Sequence, residues 1–128
     1  MNKTVITTGL FLLTMFVSCE REPDERDDVT GTYSGISVVS SRVDYDYYHD
    51  TTDIEMFLTK SRKDSIIVVD FYPEIYSEGF KFKYHDGKFT SLIDYHPPRL
   101  TMNIDSLFFY YQPGLGPSWT ECLTRKVK

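Results

Sequence analysis

Alanine is absent from this 128-residue chain, and Gln112 is its only glutamine. The chain therefore lacks the residue that most favours helix, and no segment shows a sustained helical period or an internal repeat. Positive charge is in deficit: 14 Lys and Arg face 19 Asp and Glu, for a net charge of −5. Binding to phosphate backbones needs a basic face, so nucleic acid is excluded as a partner. The chain has only two cysteines, Cys19 and Cys122. If Cys19 is committed elsewhere, no internal disulfide can form, and Cys122 is expected as a small buried apolar group. Long apolar stretches are missing too. Residues 5–17 are largely apolar, but a bilayer span takes about 20 such residues.

Catalytic signatures are equally scarce. There is no Gly-x-Ser-x-Gly elbow, no phosphate loop and no Gly-x-Gly-x-x-Gly. The three histidines, His49, His85 and His96, fall in different connections, without metal-ligand spacing or an accompanying cysteine motif. No catalytic residue, metal or other cofactor is implied, and a small hydrolase is the least supported class.

Aromatic residues are abundant instead, with 10 Tyr and 9 Phe. Together with many Thr, Val and Ile they suit a pleated, half-buried surface. The N-terminus has a different character. Lys3, the apolar residues 5–17 and the small residue Ser18 before Cys19 are the parts of a secretory signal. Phe16-Val17-Ser18-Cys19 resembles the lipobox of bacterial lipoproteins, with Phe16 where Leu is usual. The resemblance implies a signal peptide over residues 1–18, lipid on Cys19 and attachment to a membrane through that lipid. Several acyl chains on one residue give stable attachment. The following Glu20-Arg21-Glu22-Pro23-Asp24-Glu25-Arg26-Asp27-Asp28 has no apolar residue, so residues 19–29 are expected to be a solvated acidic tether. This stretch is similar to the acidic export signal of surface lipoproteins of the Bacteroides group, which implies display on the outer face of the outer membrane. The alternative is a spacer facing the periplasm.

From residue 30 to the end the chain reads as one β domain of about eight short strands. The expected strands cover residues 32–40, 52–60, 64–71, 80–84, 89–95, 100–104, 106–111 and 119–125. The cleanest period-two runs place Ile54, Met56, Leu58, Phe80, Phe82, Leu100, Met102 and Ile104 inward. Asp86-Gly87 between alternating runs marks a tight hairpin, and Pro97-Pro98 interrupts pairing. Eight strands joined by short connections point to an all-β, antiparallel up-and-down barrel similar to the calycin architecture, with a two-sheet sandwich as the alternative. Gly31-Thr32-Tyr33-Ser34-Gly35 resembles the Gly-x-Trp opening of lipocalins, with Tyr33 in place of Trp. That opening, the Asp105–Tyr111 strand, the Gly-rich turn after it and the basic terminus resemble a group of small Bacteroides-type lipoproteins. This likeness implies no particular activity.

The segment Val43-Asp44-Tyr45-Asp46-Tyr47-Tyr48-His49-Asp50 is longer than a usual hairpin loop. Three readings stand open. Tyr45, Tyr47 and Tyr48 could be ligand-binding residues for a protein or glycan. Asp44, Asp46 and Asp50 could hold calcium, though the Gly and closing Glu of a calcium loop are missing. Or the segment extends the strands, with its tyrosines packing on the barrel. The functional expectation is a non-enzymatic binding domain on a membrane anchor, working through end loops. The alternative is a lipocalin-like carrier of a small apolar ligand.

Overall fold

The structure, a computed structural model, describes residues 23–76 and 78–127. Cys19, the signal segment and residues 20–22 lie outside the described residues. Eight antiparallel strands follow a one-turn 3-10 helix at Glu25–Asp28: β1 Gly31–Val43, β2 Asp46–Lys60, β3 Ile66–Tyr72, β4 Phe80–His85, β5 Lys88–Ser91, β6 Arg99–Asn103, β7 Ser106–Tyr111 and β8 Ser118–Lys126. They form one sheet in the order β5-β4-β3-β2-β1-β8-β7-β6, so the first and last strands of the chain pair and the sheet nearly closes. β5 and β6 complete the circle side by side without a ladder. This is the expected all-β up-and-down barrel, compatible with the calycin architecture.

Period-two alternation drives the closure. Ile54, Met56 and Leu58 of β2, Ile67, Val69 and Phe71 of β3, and Phe80, Phe82 and Tyr84 of β4 are all buried. Opposite them lie Leu100 of β6, Leu107 and Phe109 of β7, and Cys122 of β8, also buried, with Met102 packed against the cluster. A barrel of this size must be filled by side chains, and rings fill much of it. Phe71, Phe80 and Phe109 meet edge-on or tilted at centroid distances of 5.0–6.2 Å. On β1, Gly35 pairs with Thr124 of β8, and a Cβ there would collide with the Leu123 carbonyl, so no larger residue fits at that position.

One expected core position is corrected. Ile104 is 93% exposed with φ at 56°. Asn103 pairs with Ser106, which leaves Ile104 and Asp105 as a two-residue turn. The alternation Leu100, Met102, Ile104 runs one step past the end of its strand. The strand expected over residues 89–95 also stops early, at Ser91, and Leu92, Ile93 and Tyr95 are exposed in the connection to β6.

The acidic segment is corrected in part: Arg26 and Val29 are buried, while Glu25, Asp27 and Asp28 stay exposed. Asp24 caps the 3-10 helix and receives the Arg26 backbone N–H at 3.0 Å. The Arg26 side chain is buried against the barrel end, where Nη1 donates to the carbonyls of Ser61, Lys63 and Ile66 at 3.1, 3.1 and 2.9 Å. Its Nη2 donates to Asp24 Oδ2 at 2.7 Å. Val29 is buried beside it, and the Tyr33 hydroxyl donates to the Val29 carbonyl at 2.8 Å. Composition favoured solvation because it carries no record of carbonyl groups waiting at a barrel rim.

Candidate functional site

The meander sorts its connections into two ends. Residues 23–29 enter at one end, here called proximal, together with the turns at 61–65, 86–87 and 104–105. At the opposite, distal end lie the β1–β2 turn and the connections 73–79, 92–98 and 112–117. The proximal turns are tight: Asp86 and Gly87 both have positive φ (50° and 76°), the backbone a two-residue hairpin turn requires. The longer connections gather at the distal end.

The distal end is dominated by an arm. Val43 pairs with Asp46, so Asp44 and Tyr45 form a two-residue turn with Asp44 at φ 57°. A short polar side chain tolerates that conformation. The segment therefore extends β1 and β2, one of the three readings left open above. Its residues beyond the core have no buried face, so no apolar alternation marks them. The β2–β3 ladder begins only at Glu55, and the β1–β8 ladder ends at Ser41. Among the described residues, 46–54 thus have no partner on the β3 side, a free edge of about 30 Å at strand rise. Asp46, Asp50 and Asp53 along it discourage indiscriminate pairing.

The three tyrosines singled out above sit on this arm. Tyr45 at the tip is 90% exposed, and Tyr47 and Tyr48 are also exposed. Among the described residues, Tyr47 alone of the three has an aromatic contact with the barrel, so the tyrosines do not pack on it as a row. Register separates their faces. Tyr47 shares the outer face with Arg42 and His49, whereas Tyr48 lies on the face continuous with the barrel interior. Tyr47 meets the Trp119 ring edge-on at 6.3 Å, and the Arg42 guanidinium lies 5.8 Å from the Tyr47 centroid. His49 Nδ1 and Ser40 Oγ are hydrogen-bonded at 2.7 Å. The arm root is tied to the 112–117 turn by the Arg42 N–H donating to the Pro117 carbonyl at 2.9 Å. Between them opens a concavity of about 420 Å3, walled by Arg42, Tyr47, Trp119, Leu115 and Pro117.

Sequence reasoning missed Trp119 and Arg42 as members of this cluster. Only the β1–β8 pairing of chain ends brings Trp119 beside the arm, and that pairing is not a local signal. It also missed Ile75 and Tyr76, which plug the distal mouth of the barrel. The Tyr76 hydroxyl hydrogen-bonds Thr120 Oγ1 at 2.9 Å, and its ring packs edge-on against Phe80 at 5.1 Å and Tyr111 at 5.3 Å. Burial raises the Tyr76 pKa, opposed by the Thr120 bond.

Other titratable groups lie inside the barrel or on its proximal rim. Burial pushes the Cys122 thiol up to about 11, with its cross-strand partner Ser37 close by. The Ser37 hydroxyl itself has no hydrogen-bond partner of normal geometry among the described residues. Burial likewise takes Tyr33 to about 12. His85 contacts Glu25 at 3.2 Å on the proximal rim. Among the described residues no three His, Cys, Asp or Glu side chains converge as a metal set, those of Asp44, Asp46 and Asp50 included. No protein-family model, curated protein or solved structure matches the chain.

Proposed function

We propose that the protein is a lipoprotein of the Bacteroides-type group, anchored through Cys19 and displayed on the cell surface as a non-enzymatic binding domain. Its ligand, a protein or glycan, is engaged by the distal end. One observation carries the reading. The chain enters the barrel at the proximal end, while the exposed Tyr45, Tyr47 and Tyr48 stand on an arm at the opposite end. A tether at Cys19 then points the aromatic arm away from the membrane. Exposed aromatic clusters carry a solubility cost that a partner face offsets, and tyrosine supplies contact area with little conformational entropy to lose.

The packed interior supports an external site over a lipocalin-like carrier. Tyr33, Met56, Leu58, Ile67, Phe82 and Phe109 occupy the space an apolar ligand would need. The placement of shifted groups supports the non-enzymatic reading. Asp24 serves a cap, and Tyr33 and Cys122 are inside the barrel, away from any cleft.

Two measurements on cells test the proposal. Wild-type protein should take up labelled palmitate and lose it in Cys19→Ala, and external protease should remove the domain from intact cells. A wild type without palmitate would sink the anchor, and full protection of the domain in intact cells would place it on the periplasmic side.

A further inference from the structure

Beside the arm, on the outer face of the sheet, lies a second concavity of about 430 Å3. Its floor is a row across three strands, since Arg99 of β6 pairs with Tyr110 of β7 and Tyr110 pairs with Glu121 of β8. Phe108 lies on the same face one row nearer the proximal end, and His96 and Pro97 form a wall. Two strand spacings put Arg99 and Glu121 about 10 Å apart, with the Tyr110 ring between them. Among the described residues neither charge takes part in an ion pair. The floor is held in place from the distal side. The Tyr110 hydroxyl donates to Gln112 Oε1 at 3.2 Å, and Gln112 Nε2 donates to the Gly116 carbonyl at 3.1 Å. His96 carries a left-handed backbone, φ 47°, immediately before two prolines. Such conformations cost energy and collect at sites where a side chain must be aimed.

We propose that this cleft binds a neutral saccharide. The assignment names a ligand class for the domain described above and rests on that reading only for where the cleft is displayed. β7 is hydrogen-bonded on both sides, so the floor offers no free backbone to an extended peptide and recognition falls to side chains. A guanidinium only donates and a carboxylate only accepts, whereas each sugar hydroxyl does both. One ligand ring can therefore satisfy Arg99 at one side and Glu121 at the other while its C–H face covers Tyr110 and Phe108. The two opposite charges across one ring disfavour a ligand with net charge, because an anion near Arg99 meets Glu121 and a cation near Glu121 meets Arg99. The volume lies within the range of small-ligand sites and suits one or two sugar rings. A fixed aromatic floor lowers the ordering cost of binding.

The test titrates the detergent-solubilised full-length protein with neutral mono- and disaccharides of glucose, galactose and mannose. Free amino acids serve as zwitterionic controls. Saturable binding of at least one neutral sugar is expected, weakened at least tenfold by Tyr110→Ala and by Glu121→Gln. Glu121 is half-buried but takes part in no ion pair among the described residues, and glutamine has its shape, so Glu121→Gln should keep the melting temperature of the parent and still decides the matter if Tyr110→Ala fails to fold. The proposal is overturned if no neutral sugar binds below about 10 mM, if both variants bind like the parent, or if amino acids bind in preference. The Tyr45→Ser, Tyr47→Ser, Tyr48→Ser variant is titrated in parallel. Sugar binding lost in the cleft variants and kept in the arm variant supports the cleft even if the arm reading fails. Loss in the arm variant alone overturns the cleft and leaves the arm standing.

Discussion

Replacing Arg26 by methionine removes a charge from the proximal cap while keeping an unbranched chain of similar reach. In the native protein Nη1 donates to three carbonyls, and Nε and Nη2 donate to the Asp24 carboxylate. Two of those carbonyls retain a backbone donor after the change: Ser61 N–H to Ile66 at 3.0 Å, and Ile66 N–H to Lys63 at a longer 3.4 Å. The Ser61 carbonyl loses its Arg26 donor. The loss combines bonds to a charged donor with one stranded acceptor, reduced because the Asp24 side is open to water. We expect Arg26→Met to cost about 2–4 kcal/mol in urea unfolding followed by circular dichroism. A second readout comes from Asp24, whose carboxyl is held down at about 2, against an ordinary 3.8, mainly by its hydrogen bond from the Arg26 side chain. Its folded pKa is depressed, so the contribution is present above pH 3.8 and lost as pH falls toward 2. In Arg26→Met the Asp24 titration followed by NMR should move back up toward the ordinary value. A change in stability below about 0.5 kcal/mol, as for an ordinary surface substitution, would refute the cap and return residues 24–29 to a solvated tether.

Three further outcomes are expected. Ile104→Asn should raise stability by about 1 kcal/mol, read as a higher urea midpoint, because a β-branched residue leaves a left-handed turn position and no buried contact is lost. Phe109→Ala should cost about 3–5 kcal/mol in the same assay, since that ring is fully buried between Phe71 and Phe80. Stability should hold up to about pH 9 and fall between there and pH 12. Tyr33 and Cys122 have pKa values raised by burial, from 10.0 to about 12 and from 9.0 to about 11, so the unfolded chain loses those protons first. A denaturation midpoint flat across that range would contradict their burial.

What could be read from the sequence, and what could not, follows the range of each signal. The Ile54, Met56, Leu58 and Phe80, Phe82 alternations and the Asp86-Gly87 turn are local, and the structure has them as expected. Ile104 shows the limit of alternation, because period two continues in the sequence after the backbone has already turned. The arm was left undecided for the opposite reason: a strand with both faces in water carries no apolar period. Trp119 beside Tyr47, Tyr76 in the barrel mouth and Arg26 against the Ser61 carbonyl are all consequences of closure. Each depends on partners far away in the chain, and residue spacing does not encode them. The tyrosines stood out in the sequence as an aromatic cluster among carboxylates, and the structure leaves all three exposed.

On the proposed function, the distal arm serves recognition and is no part of the core. Tyr45, Tyr47 and Tyr48 are therefore changed together to serine, and the variant is compared with the parent for melting temperature and for capture of protein partners and arrayed glycans. The exposure of all three side chains predicts a melting temperature close to that of the parent. Removing aromatic anchors from an interface should meanwhile weaken capture by about 1–4 kcal/mol. A clear fall in melting temperature with capture intact would contradict the claim and make the arm architecture.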